Sequence, residues 1–248
     1  MKINYYTERL LYEFISVCRC LNQKKIFIHI PKCAGMSIRR SLQLSGRILP
    51  ISTDRLKSKE YSKALISKMN QIGDHHGSEH ARLRDVRTDL REKHNAFAII
   101  RNPWDRVASR YFFAKQVIEK ERKYSEDKHD VSSFEAFLEE RHIWGNKQFM
   151  WHRAIRGWYP CYDYLINDEG KVDVDVLSFE KLDENICKYF KLKNPSRKRN
   201  VTSVRNLPIE NLYTQKTIDI VAEWYKKDID YFGYDFGTGP TKNTQYNI

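Results

Sequence analysis

Two short apolar runs stand out along the chain, and each leads at once into a proline-containing turn. The first, KKIFIHI at residues 24–30, alternates isoleucines with Phe27 and His29 and is typical of a mostly buried strand. The second, AFAIIR, is continuously apolar until Arg101, as expected for a central strand of a parallel sheet. The turns PKCAG and NPWDR then begin helices, the second with Asn102 as N-cap and Pro103 in the first helical position.

The remaining elements are predicted mainly from helical spacing of apolar residues. The predicted helices cover residues 37–45, 54–70 (with Asp54 as a possible cap), 79 onward (with Leu83, Val86 and Leu90 on one stripe), 132–140, 180–191 and 214–231. Residues 162–182 are predicted to form two strands around an Asp-Glu-Gly turn, and the basic stretch 191–206 to be a loop.

Strands that each turn into a helix predict βα units, and therefore an α/β fold of three layers with a central, mainly parallel sheet flanked by helices. A length of 248 residues suits one domain. We expect residues 1–248 to form a single domain with an amphipathic helix at 1–23, a core at 24–236 and a frayed tail at 237–248. Charged residues interrupt the N-terminal apolar positions, so neither a signal peptide nor a membrane span is predicted.

The chain is basic, with 44 Lys and Arg against 32 Asp and Glu and a net charge of +12. This excess predicts a polyanionic partner, which charge alone leaves open between nucleic acid, anionic lipid, an acidic glycan and a nucleotide. The five cysteines contain no CxxC pair, so neither a disulfide framework nor a metal cluster is expected. Such cysteine usage predicts a reducing, cytoplasmic setting.

The turn PKCAGMS has the residue types of an anion-binding loop. It does not match G-x-x-x-x-G-K-[ST], because Lys32 precedes Gly35, and GxGxxG does not occur in the chain. A common P-loop NTPase or dinucleotide dehydrogenase is therefore disfavoured. In a tighter loop, Gly35 would let the backbone approach an anion while Ser37 offered a hydroxyl and Lys32 a charge. The alternative is a plain strand-to-helix turn with a solvated lysine.

The segments IFIHIPKCAGMSI and FAIIRNPWDRVASRYFF together resemble the two cofactor-binding motifs of the family 2 sulfotransferases, the group related to the heparan and chondroitin sulfotransferases. DYLINDEGKVDVDVLSFEKLDENI and YTQKTIDIVAEWYKKDIDYFGYDF extend the resemblance over roughly residues 24–236. It implies a soluble enzyme of P-loop-like α/β architecture. The implied reaction transfers a sulfuryl group from 3′-phosphoadenosine 5′-phosphosulfate (PAPS) to a hydroxyl, with a carbohydrate as the expected acceptor and 3′-phosphoadenosine 5′-phosphate (PAP) as the product.

The resemblance also implies roles for particular residues. The first motif would hold the phosphosulfate, much of it through backbone N–H groups, with Lys32, Ala34, Gly35, Met36, Ser37 and Ile38. Arg101 and Ser109 would bind the 3′-phosphate, and Arg199 and Asn200 in the basic loop are candidates for closing over the nucleotide. Met36 stands where the family usually has threonine. Losing one neutral hydrogen bond of about 0.5–1.5 kcal/mol predicts binding weaker by roughly tenfold.

An acceptor alcohol is a poor nucleophile until its proton is being removed, so a base near neutral pKa is needed. In related enzymes this role falls to a His or Glu in the region of the chain that here reads GDHHGSEH. His76 is the candidate base, His75 is the alternative, and His80 is expected on the following helix. Lys32 joins the catalytic candidates because it would stabilise charge on the departing phosphate oxygen. These histidines could instead be surface or metal-binding residues, but they lack a recognisable zinc spacing, and no metal is expected.

Two other classes of function remain alternatives. A basic nucleic-acid-binding protein would show steep salt dependence, but the chain has no recognisable motif and its aromatic residues are scattered. A nucleotide-dependent kinase of similar architecture would use ATP with magnesium. The expected partner is therefore a hydroxyl-bearing acceptor such as a glycan, and not a nucleic acid.

Overall fold

A parallel sheet of four strands forms the centre of the computed structural model, which describes residues 24–73, 77–119, 129–194, 209–244 and 246. The strands are β1 (Lys25–Ile28), β2 (Ile48–Pro50), β3 (Ala96–Ile100) and β4 (Asp175–Ser178). They are arranged in the order β2-β1-β3-β4, and each neighbouring pair is parallel. The predicted α/β class, with a parallel central sheet flanked by helices, is confirmed.

The two predicted strands are neighbours in the sheet, and both are mostly buried as their apolar residues predict. Phe27 of β1 lies in register with Phe97 of β3, and their rings stack with centroids 4.9 Å apart. Every residue of β3 is buried, because helices cover both faces of the strand. Strand β2 was not predicted; it has three residues and ends at Pro50 on the sheet edge, where a proline removes no ladder hydrogen bond.

The helices of the described residues connect and cover these strands. The α-helices are α1 (Gly35–Arg39), α2 (Lys59–Gln71), α3 (Thr88–Lys93), α4 (Pro103–Glu119), α5 (Phe134–Trp144), α6 (Tyr162–Leu165), α7 (Leu182–Phe190), α8 (Gln215–Trp224) and α9 (Lys226–Phe232). Single 3₁₀ turns lie at Leu42–Leu44, Thr53–Arg55, Ser78–His80, Leu83–Asp85, Met150–His152 and Ile209–Asn211. Within the described ranges, no helix has the length and apolar character that crossing a bilayer would require.

Several predicted helix starts agree with the structure because capping side chains fix them. The Asn102 side-chain oxygen accepts from the Trp104 N–H at 3.0 Å, and α4 begins at Pro103. Helix α5 is capped by Ser133 and α8 by Thr214. The helix predicted over 214–231 is interrupted at Tyr225, which separates α8 from α9.

Two predicted helices near the N-terminal half have different bounds. The helix predicted over 37–45 begins earlier, at Gly35, and a 3₁₀ turn replaces its second half. The helix predicted over 54–70 begins at Lys59, because Ser58 and not Asp54 is its N-cap: the Ser58 hydroxyl accepts from the Tyr61 N–H at 3.0 Å. Asp54 instead lies in a preceding 3₁₀ turn.

The single charged helix predicted from Glu79 was wrong, since two 3₁₀ turns precede the short helix α3. The completely buried Asp85 carboxylate accepts from Arg82 Nε and from the Tyr61 hydroxyl, each at 2.8 Å. Next to it, Val86 is extended and forms an antiparallel bridge with Leu56. A buried ion pair and a sheet-like bridge thus override the helical pattern of this segment.

The strand pair predicted within residues 162–182 is found only in part. Ile166 and Val172 form one antiparallel bridge around the predicted turn, whereas β4 pairs in parallel with β3. Helix α7 begins after Glu180, whose carboxylate accepts from the Asn102 N–H at 2.8 Å. In the region predicted as a frayed tail, the Thr241 N–H donates to the Phe232 carbonyl at 2.9 Å. The N-terminal helix predicted over 1–23 lies outside the described residues.

Candidate functional site

The two loops that carry the sequence motifs meet at one edge of the sheet. One follows β1 and the other follows β3, and the carboxyl ends of neighbouring parallel strands lie side by side. Arg101 Nη1 donates a hydrogen bond to the Lys32 carbonyl at 3.1 Å, across this boundary. The structure therefore brings together the two residues on which the sequence interpretation depends most.

The backbone of the first loop has an unusual conformation. Lys32 has φ 67° and Ala34 has φ 61°, so two residues with side chains adopt the left-handed region within three positions. Each such residue costs on the order of 1–3 kcal/mol, and such residues cluster where backbone clamps a ligand. Neither position is glycine or asparagine, so the left-handed conformation could not be predicted from the residue types.

Gly35 is required by a close approach and not by its φ angle. A Cβ atom at this position would lie 1.6 Å from Nε2 of His29, so the imidazole ring fills the space that any side chain would take. His29 follows β1 directly and is buried beneath the loop. The loop can therefore pack against the end of β1 only with glycine at position 35.

His29 and His80 form a pair of rings beside this loop. Their centroids are 4.1 Å apart, and His80 Nδ1 lies 2.7 Å from the His29 carbonyl oxygen. Burial, His80 and Arg39 together hold the pKa of His29 well below its ordinary value, so its ring is neutral. A carbonyl oxygen can only accept, so Nδ1 of His80 carries a proton in this contact, and in the neutral form of the ring the lone pair is on Nε2.

The residues predicted to bind the phosphosulfate are contiguous, but some of their backbone N–H groups already donate hydrogen bonds within the chain. The N–H groups of Ser37 and Ile38 donate to the Ala34 carbonyl at 2.9 and 3.2 Å. The Ile38 side chain is buried, while Met36 and Ser37 are half-buried at the beginning of α1. The N–H groups of Ala34, Gly35 and Met36, which come earlier in the loop, are therefore better placed to bind an anion than those of Ser37 and Ile38.

Lys32 is half-buried among other cations. Its Nζ lies 4.1 Å from the ring centroid of Phe113 on α4, and burial followed by Arg101 and Arg110 lowers the pKa of Lys32 to about 7. An anion that binds beside a lysine in this state favours its charged form, so that binding takes up a proton above pH 7.

Arg101 directly follows β3, and the predicted Ser109 lies on the helix α4 that begins two residues later. The Arg101 guanidinium stacks on Phe179 with its carbon 4.2 Å from the ring centroid, and its Nε is 4.0 Å from the Asp105 carboxylate. Ser109 is half-buried and one helical turn beyond Asp105, so the two share a face of α4. Helical spacing therefore aligns Ser109 with the residue that contacts Arg101.

Two buried arginines on α4 were not recognised from the sequence. Arg106 donates to the Pro31 carbonyl at 3.1 Å and to the Tyr159 carbonyl at 2.8 Å. Arg110 donates to the Tyr225 hydroxyl at 2.9 Å, and both guanidinium groups are completely shielded from solvent. Their spacing of four residues, on the stripe that also carries buried apolar residues, is the signal that could have identified them.

Four of the predicted site residues lie outside the part of the chain that the structure describes. His75 and His76 lie outside the described residues, immediately before Gly77, and so do Arg199 and Asn200. The described histidine closest to them in the chain is His80, whose 3₁₀ turn begins at the buried Ser78.

Comparison with known proteins agrees with this arrangement. The model of one protein family, described as the sulfotransferase family, matches residues 19–235. Neither the curated proteins nor the solved structures contain a match to the chain. Because the family match spans most of the sequence and includes both loops at the sheet edge, the chain belongs to the sulfotransferase family.

Proposed function

We propose that this protein transfers a sulfuryl group from PAPS to a hydroxyl of a carbohydrate. The observation that carries the proposal is the contact between Arg101 and the Lys32 carbonyl, which joins the two loops that carry these cations at one edge of the sheet. A nucleotide with anionic groups at both ends of its ribose needs two such groups of cations, held at a fixed distance from each other.

The residues of the edge fit this nucleotide. Gly35 lets the loop pack closely on His29 at the end of β1, and the surrounding charges of Lys32, Arg101 and Arg110 favour a polyanion. When bound, PAPS supplies an activated sulfuryl group whose transfer leaves PAP.

The two ends of the nucleotide would be held by different residues. Lys32 and the backbone N–H groups of Ala34, Gly35 and Met36 would hold the phosphosulfate, with Ser37 and Ile38 completing the motif. Arg101 and Ser109 would hold the 3′-phosphate, and Arg199 and Asn200 would extend the contacts.

Lys32 would act directly on the reaction. In an in-line displacement, negative charge develops on the phosphate oxygen that leaves the sulfur, as in phosphoryl transfer. An ammonium group close to that oxygen stabilises the transition state more than the ground state, and therefore raises the rate. The stacking of Lys32 on Phe113 and its position at the end of β1 limit where the ammonium group can go.

A histidine of the segment 75–80 would accept the proton of the acceptor hydroxyl. His76 is the candidate from the sequence and His75 its alternative. His80 is a third candidate, because its Nδ1 donates to the His29 carbonyl and the neutral form of the ring would then have its lone pair on Nε2.

The net charge of +12 supports an acidic glycan as the acceptor. The five cysteines, which contain no CxxC pair, support the prediction of a cytoplasmic location.

The test is transfer from donor carrying ³⁵S in its sulfuryl group to a panel of glycans, some already acidic and some neutral. We expect labelled glycan, favoured for the acidic members, and binding of PAP in calorimetry. ATP labelled at the γ-position with magnesium serves as the control for a kinase, and a duplex DNA gel shift at rising salt as the control for a nucleic-acid-binding protein. Absence of both transfer and PAP binding would contradict the proposal.

A further inference from the structure

His29 lies between the first loop and the candidate base His80, directly after the end of β1. The centroids of the two imidazole rings are 4.1 Å apart, and the ring planes are inclined by 49°. The His29 ring also stacks on Phe27, with centroids 5.5 Å apart, and its Nε2 faces Gly35, where a Cβ atom would lie 1.6 Å away. One side chain therefore packs against both the backbone that would hold the phosphosulfate and a ring that would accept a proton.

The main chain of His29 makes a second contact with His80. Its carbonyl oxygen lies 2.7 Å from Nδ1 of His80 and accepts the proton that this nitrogen carries. The carbonyl determines which nitrogen of His80 is protonated, and the ring of His29 restricts the plane of the His80 ring. Two contacts from one residue thus fix both the tautomer and the orientation of His80.

The polar character of His29 is not explained by packing. The residue is only 5 % exposed, and its buried Nδ1 has no hydrogen-bond partner among the described residues. Such an atom destabilises the fold, so packing alone would favour an apolar side chain here. Burial, His80 and Arg39 hold the pKa of His29 well below its ordinary value, so the ring is uncharged. It therefore does not repel the positive charge that His80 gains on accepting a proton.

We propose that His29 is a positioning residue of the transfer reaction, which holds His80 beside the first loop in the orientation that accepts the proton of the acceptor hydroxyl. The inference rests on the proposed function and selects His80 from its three candidate bases.

The atoms and charges of the step balance with His80 as the base. The acceptor oxygen forms a bond to sulfur, the bond from sulfur to the phosphate oxygen breaks with its electron pair left on PAP, and the hydroxyl proton moves to Nε2 of His80. The His29 carbonyl then accepts from an imidazolium. A hydrogen bond from a charged donor is stronger than one from a neutral donor, so this contact favours the transition state over the ground state.

The test is a double-mutant cycle between His29 and His80, measured as transfer of the ³⁵S-labelled sulfuryl group. His29→Ala should lower turnover by about 10- to 100-fold, because the base is no longer held in place. His80→Ala should lower it by about 10²- to 10⁴-fold. The double variant should match His80→Ala within about threefold, since the ring then has nothing to position. PAP affinity should stay within about threefold of the original in all three variants.

A purely structural role of His29 would give a different result, because turnover would then fall by the same factor with and without His80. His94→Ala is the matched control. His94 is half-buried, and its Nδ1 is likewise buried without a hydrogen-bond partner among the described residues, but it precedes β3 and so lies at the opposite edge of the sheet. This variant should leave turnover unchanged. If His29→Ala proves poorly folded in urea denaturation, His29→Leu fills most of the space of the ring and provides the same cycle.

Nitrogen NMR of the histidine rings tests the contact without any transfer reaction. The neutral His80 ring, assigned by its loss from the spectrum of His80→Ala, should carry its proton on Nδ1. In His29→Ala this proton should exchange with water about tenfold faster, because the ring that shields it is gone.

The outcomes separate this inference from the proposed function. Additive losses in the cycle, normal turnover of His29→Ala, or a neutral His80 protonated on Nε2 would each overturn the inference. A loss of turnover confined to His76→Ala or His75→Ala would overturn it too, and would leave the proposed function intact. If the protein neither binds PAP nor transfers a sulfuryl group, the proposed function fails, while the NMR measurement still decides whether His29 holds His80.

Discussion

Arg101 Nη1 donates to the main-chain carbonyl of Lys32 at 3.1 Å, so a side chain that follows one strand fixes the backbone of the loop that follows its neighbour. The loop residue is in the left-handed conformation, and the arginine is almost completely buried. The contact therefore couples the shape of one loop to the charge of the other. A substitution of either residue should therefore alter the contacts with both ends of a bound nucleotide.

Replacing Arg101 with alanine should weaken PAP binding by about 10- to 100-fold, because a charge-assisted contact contributes about 1.5–3 kcal/mol. Arg101→Lys should recover only part of this loss, since an ammonium cannot reproduce the planar guanidinium geometry. Calorimetric titration with PAP measures the effect. Arg87→Ala removes an exposed arginine whose partner is Asp89 and should change the affinity less than threefold. Equal effects of the two alanine variants would contradict a specific role for Arg101.

The affinity for PAP should fall as the pH rises through 7. Burial, Arg101 and Arg110 lower the pKa of Lys32 to about 7, so the free protein holds the charged lysine below that pH and loses it above. An anionic ligand favours the charged form, so binding above pH 7 takes up a proton and weakens by up to tenfold per pH unit. Calorimetry from pH 6 to 9, in two buffers of different ionisation enthalpy, gives both the affinity and the proton uptake.

Lys32→Arg is the matched control, because arginine stays charged over this range. Its PAP affinity should be nearly independent of pH between 6 and 9, without proton uptake at alkaline pH. If the variant and the original protein show the same pH profile, Lys32 is not the group that titrates.

One histidine of the segment 75–80 should be needed for turnover but not for nucleotide binding. Removing a general base lowers the rate by about 10²- to 10⁴-fold. We expect one of His76→Ala, His75→Ala and His80→Ala to show this loss with PAP affinity within threefold of the original. His142→Ala, which removes a histidine at the end of α5 paired with Glu139, is the control. Full transfer activity in all three test variants would exclude a histidine base in this segment.

The strand and the helix start that position this site could be predicted from the sequence, because local sequence signals and tertiary packing favour the same structure there. Strand β3 and the start of α4 are specified by an apolar run, a capping asparagine and a proline, each of which acts within a few residues. The segment after Glu79 was mispredicted because the buried Asp85 draws Arg82 and Tyr61 together, and partners from distant elements are invisible to periodicity. The left-handed Lys32 is likewise imposed by its surroundings.

Gly35→Ala should weaken nucleotide binding by displacing the loop. The added Cβ would overlap the His29 ring at 1.6 Å, so either the ring or the loop must move. We expect at least tenfold weaker PAP binding and a lower urea midpoint. Combining Gly35→Ala with His29→Ala should recover part of the binding, since the second change removes the ring that the methyl group meets; a double-mutant cycle measures this coupling.

Gly239→Ala is the control for a glycine-to-alanine change that causes no steric clash. Its Cβ would lie 3.8 Å from the nearest atom, in Glu180, which is an ordinary contact, and its backbone is not left-handed. It should leave PAP affinity and stability unchanged. A Gly35→Ala variant that binds PAP normally would show that the loop tolerates the methyl group and that the close approach is not essential.

Asn102 should contribute more to stability than a helix cap alone. Its side-chain oxygen caps α4, while its Nδ2 donates to the carbonyls of Asp235 and Thr238, each at 2.8 Å, and so ties the C-terminal segment to the end of β3. A lost cap costs about 1 kcal/mol and each lost hydrogen bond about 0.5–1.5 kcal/mol. Asn102→Ala should therefore lower the free energy of unfolding by about 2–4 kcal/mol, measured by urea denaturation.

Two further variants distinguish the contribution of the helix cap from that of the hydrogen bonds to the C-terminal segment. Ser133→Ala removes only the cap of α5, where the hydroxyl accepts from the Ala136 N–H, and should cost about 1 kcal/mol. Asn102→Asp keeps the capping acceptor but turns a carboxylate oxygen towards two carbonyl oxygens, so it should be about as unstable as Asn102→Ala. If the aspartate variant were instead as stable as the original protein, the cap would account for the whole contribution. The hydrogen bonds from Asn102 to the C-terminal segment would then add nothing to the free energy of unfolding. The position of Arg101 at the edge of the sheet would depend on α4 alone.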